Sequence, residues 1–197
     1  AEAQEPAEPD AAILDTTRPS YVCPQSLYKI HPDFDPVIAA LLRADTQGVA
    51  YFIGYSKNAD TVLAARLAAA GADPARIRFL PRMTARQFLG LLRAADVILD
   101  VPQWSGGKTS LEGLTAGTPI VHWPGAFMRG RHTLAFYRHL GVDAPIVDSA
   151  RAYVETAARL VHDKGFRADA RGQIAPTKGR LFDDAASIRE IEDTWAQ

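Results

Sequence analysis

Residues 94–125 read AADVILDVPQWSGGKTSLEGLTAGTPIVHWPG, and this stretch decides the fold. It opens with an apolar run at Val97–Leu99 and closes with another at Ile120–Trp123. Between them lie a glycine-rich segment, Val101–Lys108, and a short segment typical of a helix. Two buried strands joined by a glycine-rich turn and a helix form the repeating unit of a parallel α/β sheet. The stretch therefore predicts strand, turn, helix and strand in succession.

The same alternation fills the first half of the chain. Earlier apolar runs lie at Tyr21–Cys23, Val49–Ile53 and Ile77–Leu80. Each is followed by a helix with its own start or stop signal. These helices are Val37–Arg43 with Asp35 as N-cap and Pro36 at the first position, Thr61–Ala70 ending at Gly71, and Ala85–Ala94 capped by Thr84. The pattern predicts an α/β protein with a Rossmann-like, doubly wound parallel sheet.

The two ends of the chain differ from this central part. Residues 1–20 are rich in Ala, Glu, Pro and Asp, which indicates a linker or the end of a preceding domain. Residues 21–197 then form one domain. Beyond Gly125 the pattern is helical, with a turn-rich break at Ala175–Gly179 and candidate helices at Thr133–Leu140, Ser149–His162 and Asp184–Trp195.

Composition excludes several classes of protein. The 197 residues carry a formal net charge of −1, so we expect no sequence-independent binding of nucleic acid, which needs a basic surface. No apolar run is long enough to span a bilayer and no signal peptide is visible, so we expect no membrane partner. A single cysteine cannot form an internal disulfide, which favours a cytoplasmic protein. The single cysteine, Cys23, lies in an apolar run and is interpreted as a buried strand residue. The chain also looks like part of something larger.

Ligands of doubly wound sheets bind beyond the carboxyl ends of the strands. Pro24–Asp33, Gly54–Asn58 and Val101–Lys108 occupy those positions. Backbone N–H groups at the start of the helix after Lys108, with Thr109 or Ser110 as cap, suit a phosphate or pyrophosphate. Glu112, one turn into that helix, would repel a phosphate and is expected to accept hydrogen bonds from sugar hydroxyls instead.

Two other classes of function stay open at this point. Gly107-Lys108-Thr109 is similar to the end of a P-loop, but Pro102 stands where the first glycine of that motif belongs. A P-loop-like ATP or GTP binder would require magnesium. A catalytically silent Rossmann-like interaction module would bind no nucleotide.

Two motif blocks, CPQSLYKIHPDFD (Cys23–Asp35) and the block from Ala95 to Gly125, resemble the C-terminal half of the catalytic region of the protein O-GlcNAc transferase family and its bacterial relatives. The resemblance covers roughly Tyr21–Trp195. It implies the GT-B fold, in which two Rossmann-like domains face each other across a cleft. It identifies this chain as the C-terminal domain, which holds most of the nucleotide sugar.

The resemblance also implies the donor-binding residues. Lys29 matches the family lysine that contacts the donor diphosphate and is needed for transfer, which makes it the candidate catalytic residue. Ser26 stands where animal enzymes have a glutamine that reaches the diphosphate, and the adjacent Gln25 can substitute for it. Glu112 matches an acidic residue that binds the ribose. The phosphates are held by the loop and helix start at Gly106, Gly107, Lys108, Thr109 and Ser110.

The uracil site is expected around the third strand end. Pro81, Arg82 and Met83 would contact the base through backbone groups, and Phe88 stands near a stacking histidine of the family. Arg131, in PGAFMRGRH, matches an arginine after the Pro-Gly turn, and two roles stay open for it: contact with the ligand, or a buried arginine that ties loops together. Gly107 and Lys108 replace a histidine and a threonine of the animal pattern, which leaves the sugar preference open.

The resemblance implies an inverting transfer of a hexose, with N-acetylglucosamine expected, from a UDP-sugar to a protein side chain. No metal and no cofactor beyond the donor substrate are expected, because a DxD-like arrangement is missing and Lys29 and the helix dipole can stabilise the departing diphosphate. Binding of the protein acceptor and removal of its proton are assigned to a missing N-terminal region. We therefore expect the chain alone to bind nucleotide weakly and to transfer little sugar.

Overall fold

A computed structural model describes residues 13–143, 145–182 and 185–196. Its sheet has five parallel strands in the order β3-β2-β1-β4-β5. The chain builds β1 to β3 outward in one direction and then returns to place β4 on the other side of β1. This confirms the doubly wound sheet. The strands are β1 (Ser20–Cys23), β2 (Val49–Ile53), β3 (Ile77–Leu80), β4 (Val97–Leu99) and β5 (Ile120–Val121).

Helices cover both faces of the sheet, which explains why the strands are apolar without alternation. In β1, Tyr21 and Cys23 pack on one face, with α1, α2 and α6, while Val22 packs on the other face, whose core includes α3. The helices are α1 (Asp35–Ala44), α2 (Lys57–Ala69), α3 (Ala85–Ala94), α4 (Lys108–Thr115), α5 (His132–Leu140), α6 (Ala150–His162), α7 (Lys164–Ile174) and α8 (Ala185–Trp195).

Several predicted helix starts need correction. Asp35 is not an N-cap, because α1 begins at Asp35 itself and its carboxylate pairs with Arg66 of α2 at 2.8 Å. Helix α2 begins at Lys57, before the predicted Thr61, because the Ser56 hydroxyl accepts a hydrogen bond from an N–H of the first turn. The cap at Thr84 is confirmed as a capping box with the side chain three residues later.

The C-terminal part contains one helix that the sequence did not predict, α7, which Asp163 caps. Strand β5 ends at Val121, before the predicted Trp123, and His122 forms only an isolated bridge with Ile146. The last helix begins at Ala185, and the predicted start at Asp184 lies outside the described residues.

Part of the predicted linker, residues 13–20, is described, and its last residue, Ser20, opens β1. Leu14 is buried in the core that contains Val22 and Tyr51, and the Asp15 N–H donates to the Tyr51 hydroxyl at 3.2 Å. Residues 1–12 lie outside the described residues, and the domain boundary at residue 20 stays a prediction. Within the described ranges, no helix has the length and apolar character needed to cross a membrane.

Candidate donor site

The loops after β1 and β4 lie side by side because these two parallel strands are neighbours in the sheet. The Lys29 ammonium lies 5.4 Å from the centroid of the Trp104 ring, on the glycine-rich loop. The Gln25 amide donates a hydrogen bond to Asp100, at the end of β4, over 3.2 Å. The structure thus brings Lys29 and the glycine-rich loop together at the switch point of the sheet, where doubly wound folds bind ligands.

No side chain in the part of the chain that the structure describes caps the start of α4. The helix begins at Lys108 with Gly107 in the cap position, so Thr109 and Ser110 lie inside the first turn and the prediction that one of them caps the helix is wrong. The first N–H groups of any α-helix lack an intrahelical acceptor. Without a capping oxygen, those of α4 are available to an anion, and the helix dipole favours one there.

The two glycines before α4 have different surroundings. A Cβ atom on Gly106 would touch Ser110 Oγ and would lie 2.7 Å from Thr109 Oγ1 and 2.8 Å from Gln25 Nε2. A Cβ atom on Gly107 would meet no atom of the described residues within 4 Å. The loop is therefore packed tightly at Gly106 and open at Gly107.

Three predicted diphosphate residues differ in exposure. The Ser110 side chain is buried and its hydroxyl accepts from Thr133 Oγ1 at 2.8 Å. The side chain is therefore engaged inside the protein, and a diphosphate would contact Ser110 through its backbone. The Lys108 side chain is 83% exposed. Ser26 is half-buried, just before the 3₁₀ turn Leu27–Lys29.

Glu112 lies one turn into α4, where its side chain is 21% exposed and 3.7 Å from the Lys108 ammonium. Burial raises the pKa of Glu112, and the Lys108 charge opposes that shift. A carboxylate that is partly desolvated and has few protein donors benefits from new ones. The hydroxyl groups of a ribose are donors of this kind.

The predicted base site lies at the end of β3. Pro81 and Arg82 are exposed, Met83 is half-buried, and the Arg82 guanidinium lies 5.0 Å from the centroid of the exposed Tyr55 ring. Phe88 packs against two clusters of buried residues, one that contains Ile98 and one that contains Val22. It therefore has a structural role whether or not it stacks on a base. Tyr55 is an exposed aromatic ring at the same edge that the sequence analysis did not select.

Arg131 is exposed, so the alternative of a buried arginine that ties loops together is wrong. Its guanidinium donates to the Gly125 carbonyl of the same loop at 3.1 Å, and contact with the ligand stays a prediction. Among the described residues, His, Cys, Asp and Glu side chains form no group of three or more that could hold a metal ion. Binding of the donor without a metal stays a prediction.

The sequence analysis missed the buried carboxylate beneath the loop. Asp100 is 2% exposed and accepts hydrogen bonds from Ser105 Oγ at 2.6 Å, from the Gly106 N–H at 2.8 Å and from Gln25. His122 Nδ1 lies 2.7 Å from the same carboxylate. An Asp directly after an apolar strand and before a glycine-rich loop was the available signal.

Several solved structures superpose on this chain. Anabaena HepE in complex with UDP superposes with a TM-score of 0.67 at 16% identity, over 94% of this chain and 51% of that one. WaaG, a glycosyltransferase of lipopolysaccharide biosynthesis, gives 0.64 at 14% identity, over 92% and 47%. At such identities the likeness shows the fold alone, a Rossmann-like C-terminal domain of the GT-B type.

Two relatives are more similar in sequence. A mutant O-GlcNAc transferase of Thermobaculum terrenum superposes with a TM-score of 0.82 at 26% identity, over 96% of this chain and 38% of that one. A UDP-N-acetylglucosamine–peptide N-acetylglucosaminyltransferase of Caenorhabditis elegans is 26% identical over 197 residues, which cover 94% of this chain and 17% of the relative. Residues 8–190 match glycosyl transferase family 41, and the chain belongs to this family. It spans well under half the length of either relative.

Proposed function

We propose that this chain is the donor-binding domain of an inverting glycosyltransferase that moves a hexose from a UDP-sugar to a protein side chain. The observation that carries the proposal is the position of Lys29 against Trp104 of the glycine-rich loop, which leads into α4 at the switch point between β1 and β4, in a chain of family 41. A cation and a row of free N–H groups at one edge suit a diphosphate.

The chemistry follows from where charge develops. An acceptor hydroxyl, or an amide in some relatives, attacks the anomeric carbon while the bond from that carbon to the diphosphate oxygen breaks. The bonding electrons go to the departing UDP, whose terminal phosphate gains negative charge. The Lys29 ammonium and the positive end of the α4 dipole stabilise that charge, which lowers the barrier. These groups supply the positive charge that a divalent cation supplies in other enzymes.

We assign recognition of the nucleoside to α4 and to the segment after β3. Glu112 accepts hydrogen bonds from the ribose, and the backbone of Pro81–Met83 contacts the uracil. The printed names of the C. elegans and T. terrenum relatives support N-acetylglucosamine as the hexose, and the C. elegans name supports a peptide acceptor. Acceptor binding and proton removal are assigned to a domain facing this one, so the isolated chain should bind UDP weakly and transfer little sugar.

Calorimetric titration with UDP, GDP and ATP, each with and without magnesium, tests this function. We expect saturable UDP binding that does not need magnesium and is lost in Lys29→Ala. Lys164→Ala is the matched control, because Lys164 is an exposed lysine that opens α7 at the opposite edge of the sheet, where Arg167 of the same helix pairs with Asp96 just before β4. Magnesium-dependent ATP binding would favour the P-loop alternative, and the absence of any nucleotide binding would favour the silent interaction module.

A further inference from the structure

The buried carboxylate of Asp100 joins three separate segments of the chain. Its donors are Gln25 after β1, Ser105 and Gly106 in the glycine-rich loop, and His122 after β5. A buried carboxylate that accepts several hydrogen bonds is held in one orientation, because losing any donor leaves charge without compensation in a low dielectric. These hydrogen bonds therefore hold the glycine-rich loop in a fixed position relative to the end of β4.

A second layer of hydrogen bonds extends from Ser105 to two helices. The Thr133 N–H, in the first turn of α5, donates to Ser105 Oγ at 3.1 Å. The Thr133 hydroxyl donates to Ser110 Oγ, in the first turn of α4, at 2.8 Å. The Ser105 N–H donates to the Arg129 carbonyl at 2.8 Å. Through Ser105, the Asp100 carboxylate is linked to the starts of both α4 and α5.

The network fixes Gly106, which lies two residues before the start of α4. Because the Gly106 N–H is bound to Asp100, the loop is fixed immediately before Gly107, the cap position of α4. The N–H groups that follow belong to the uncapped first turn. Their positions relative to Lys29 thus depend on a hydrogen bond that lies beneath the site and outside the reach of any donor sugar.

We propose that Asp100 is a positioning residue for donor binding, which fixes the glycine-rich loop so that the first turn of α4 is presented to a diphosphate, and that His122 holds its carboxylate in place. This inference rests on the proposed function. Asp100 acts through the loop and does not touch the nucleotide. The buried His122 ring supports this arrangement, since Nδ1 faces Asp100 and Nε2 has no hydrogen-bond partner among the described residues.

Asp100→Asn tests the proposal with little change in volume. An Asn side chain keeps one acceptor oxygen and presents an NH₂ group where the second oxygen was, so it cannot accept from all four donors. If the oxygen stays with Gly106, the amide nitrogen faces Ser105 Oγ and His122 Nδ1, two groups that donate to Asp100. The loop should then lose its fixed position.

The fold offers a matched control at the opposite edge of the sheet. Asp45, before β2, is 4% exposed and accepts from the Tyr21 hydroxyl at 2.7 Å and from the Gly48 N–H at 3.0 Å. His162 Nε2 lies 3.0 Å from its carboxylate. Asp45→Asn therefore disturbs a buried carboxylate with hydroxyl, amide and imidazole partners, but far from the donor site.

The experiment measures UDP affinity by calorimetry and the Gly106 amide signal by NMR in both variants. We expect Asp100→Asn to weaken UDP binding by about tenfold or more, the effect of one lost charge-assisted hydrogen bond. Asp45→Asn should stay within about twofold of the parent, as expected for a distant site. The Gly106 amide proton should move upfield and exchange faster in Asp100→Asn alone.

Several results would overturn the proposal. One is unchanged UDP affinity in Asp100→Asn despite a shifted Gly106 signal, and another is equal weakening by both variants. If Asp100→Asn does not fold, Ser105→Ala removes one donor and the link to Thr133, and it should weaken UDP binding by about threefold or more. Unchanged affinity there also overturns the proposal. If the parent chain itself does not bind UDP, the proposed function fails, while the Gly106 signal still reports on the network.

Discussion

Replacement by alanine should destabilise the folded chain at Gly106 and leave its stability almost unchanged at Gly107. In Gly106→Ala the new methyl group would press on Ser110 Oγ and approach Thr109 Oγ1 to 2.7 Å. Ser110 cannot turn away without breaking its hydrogen bond with Thr133. Overpacking of this kind costs about 1–3 kcal/mol, which corresponds to a melting temperature lower by about 2–12 °C for a domain of this size.

Gly107→Ala supplies the control within the same loop. Its methyl group meets nothing within 4 Å among the described residues, and the backbone φ of −86° lies outside the left-handed region that favours glycine. The change in stability should stay within about 0.5 kcal/mol. Thermal unfolding of the parent and both variants, followed by circular dichroism, checks the pair. The packing described for the loop is wrong if Gly106→Ala melts with the parent or if Gly107→Ala is the less stable variant.

Three further predictions concern single side chains. Burial raises the pKa of Glu112, so the folded chain binds the carboxyl proton of Glu112 more tightly than the unfolded chain does. The free energy of unfolding therefore falls as pH rises from the unfolded pKa through the raised pKa of the folded chain. Glu112→Gln should therefore gain stability relative to the parent between pH 4 and pH 7 in urea unfolding, while its UDP affinity falls by about 1–3 kcal/mol; equal pH profiles would contradict this. Burial raises the pKa of the Cys23 thiol to about 12, so a thiol reagent at pH 8 should modify Cys23 only after denaturation, and rapid labelling of the folded chain would show otherwise. Arg66→Ala should lower the free energy of unfolding by about 2–4 kcal/mol, because it leaves the buried Asp35 carboxylate without its bidentate partner, and a loss near zero would refute that role.

The sheet could be predicted because its strands are continuous apolar runs between polar segments. The bounds of β2, β3 and β4 coincide with those runs. The start of α3 was also predictable, since Thr84 and Gln87 form a local capping box. Helix α7 was missed because its sequence, KGFRADARGQI, is mostly polar and contains two glycines. Phe166, Ala170 and Ile174 do recur at helical spacing, and they pack against the body of the domain.

Of the candidate site, the position of Lys29 could be predicted from the sequence and the hydrogen bonds of Asp100 could not. That Lys29 lies near the glycine-rich loop follows from the fold class, since consecutive parallel strands end at one edge. The contact between Asp100 and His122 depends on strand register: Leu99 pairs with Val121, which places the next residue of each strand side by side. No periodicity in a single sequence reports the register between two strands. The buried network was therefore invisible until the sheet was assembled.

The proposed function requires that the first turn of α4 binds the donor diphosphate. NMR titration of the ¹⁵N-labelled chain with UDP measures this contact, with Gly71, at the end of α2 on the opposite edge of the sheet, as an internal control. The amide signals of Gly107, Lys108 and Thr109 should shift and saturate together without magnesium, while that of Gly71 stays in place. Saturable UDP binding that leaves these three signals unmoved would contradict the claim.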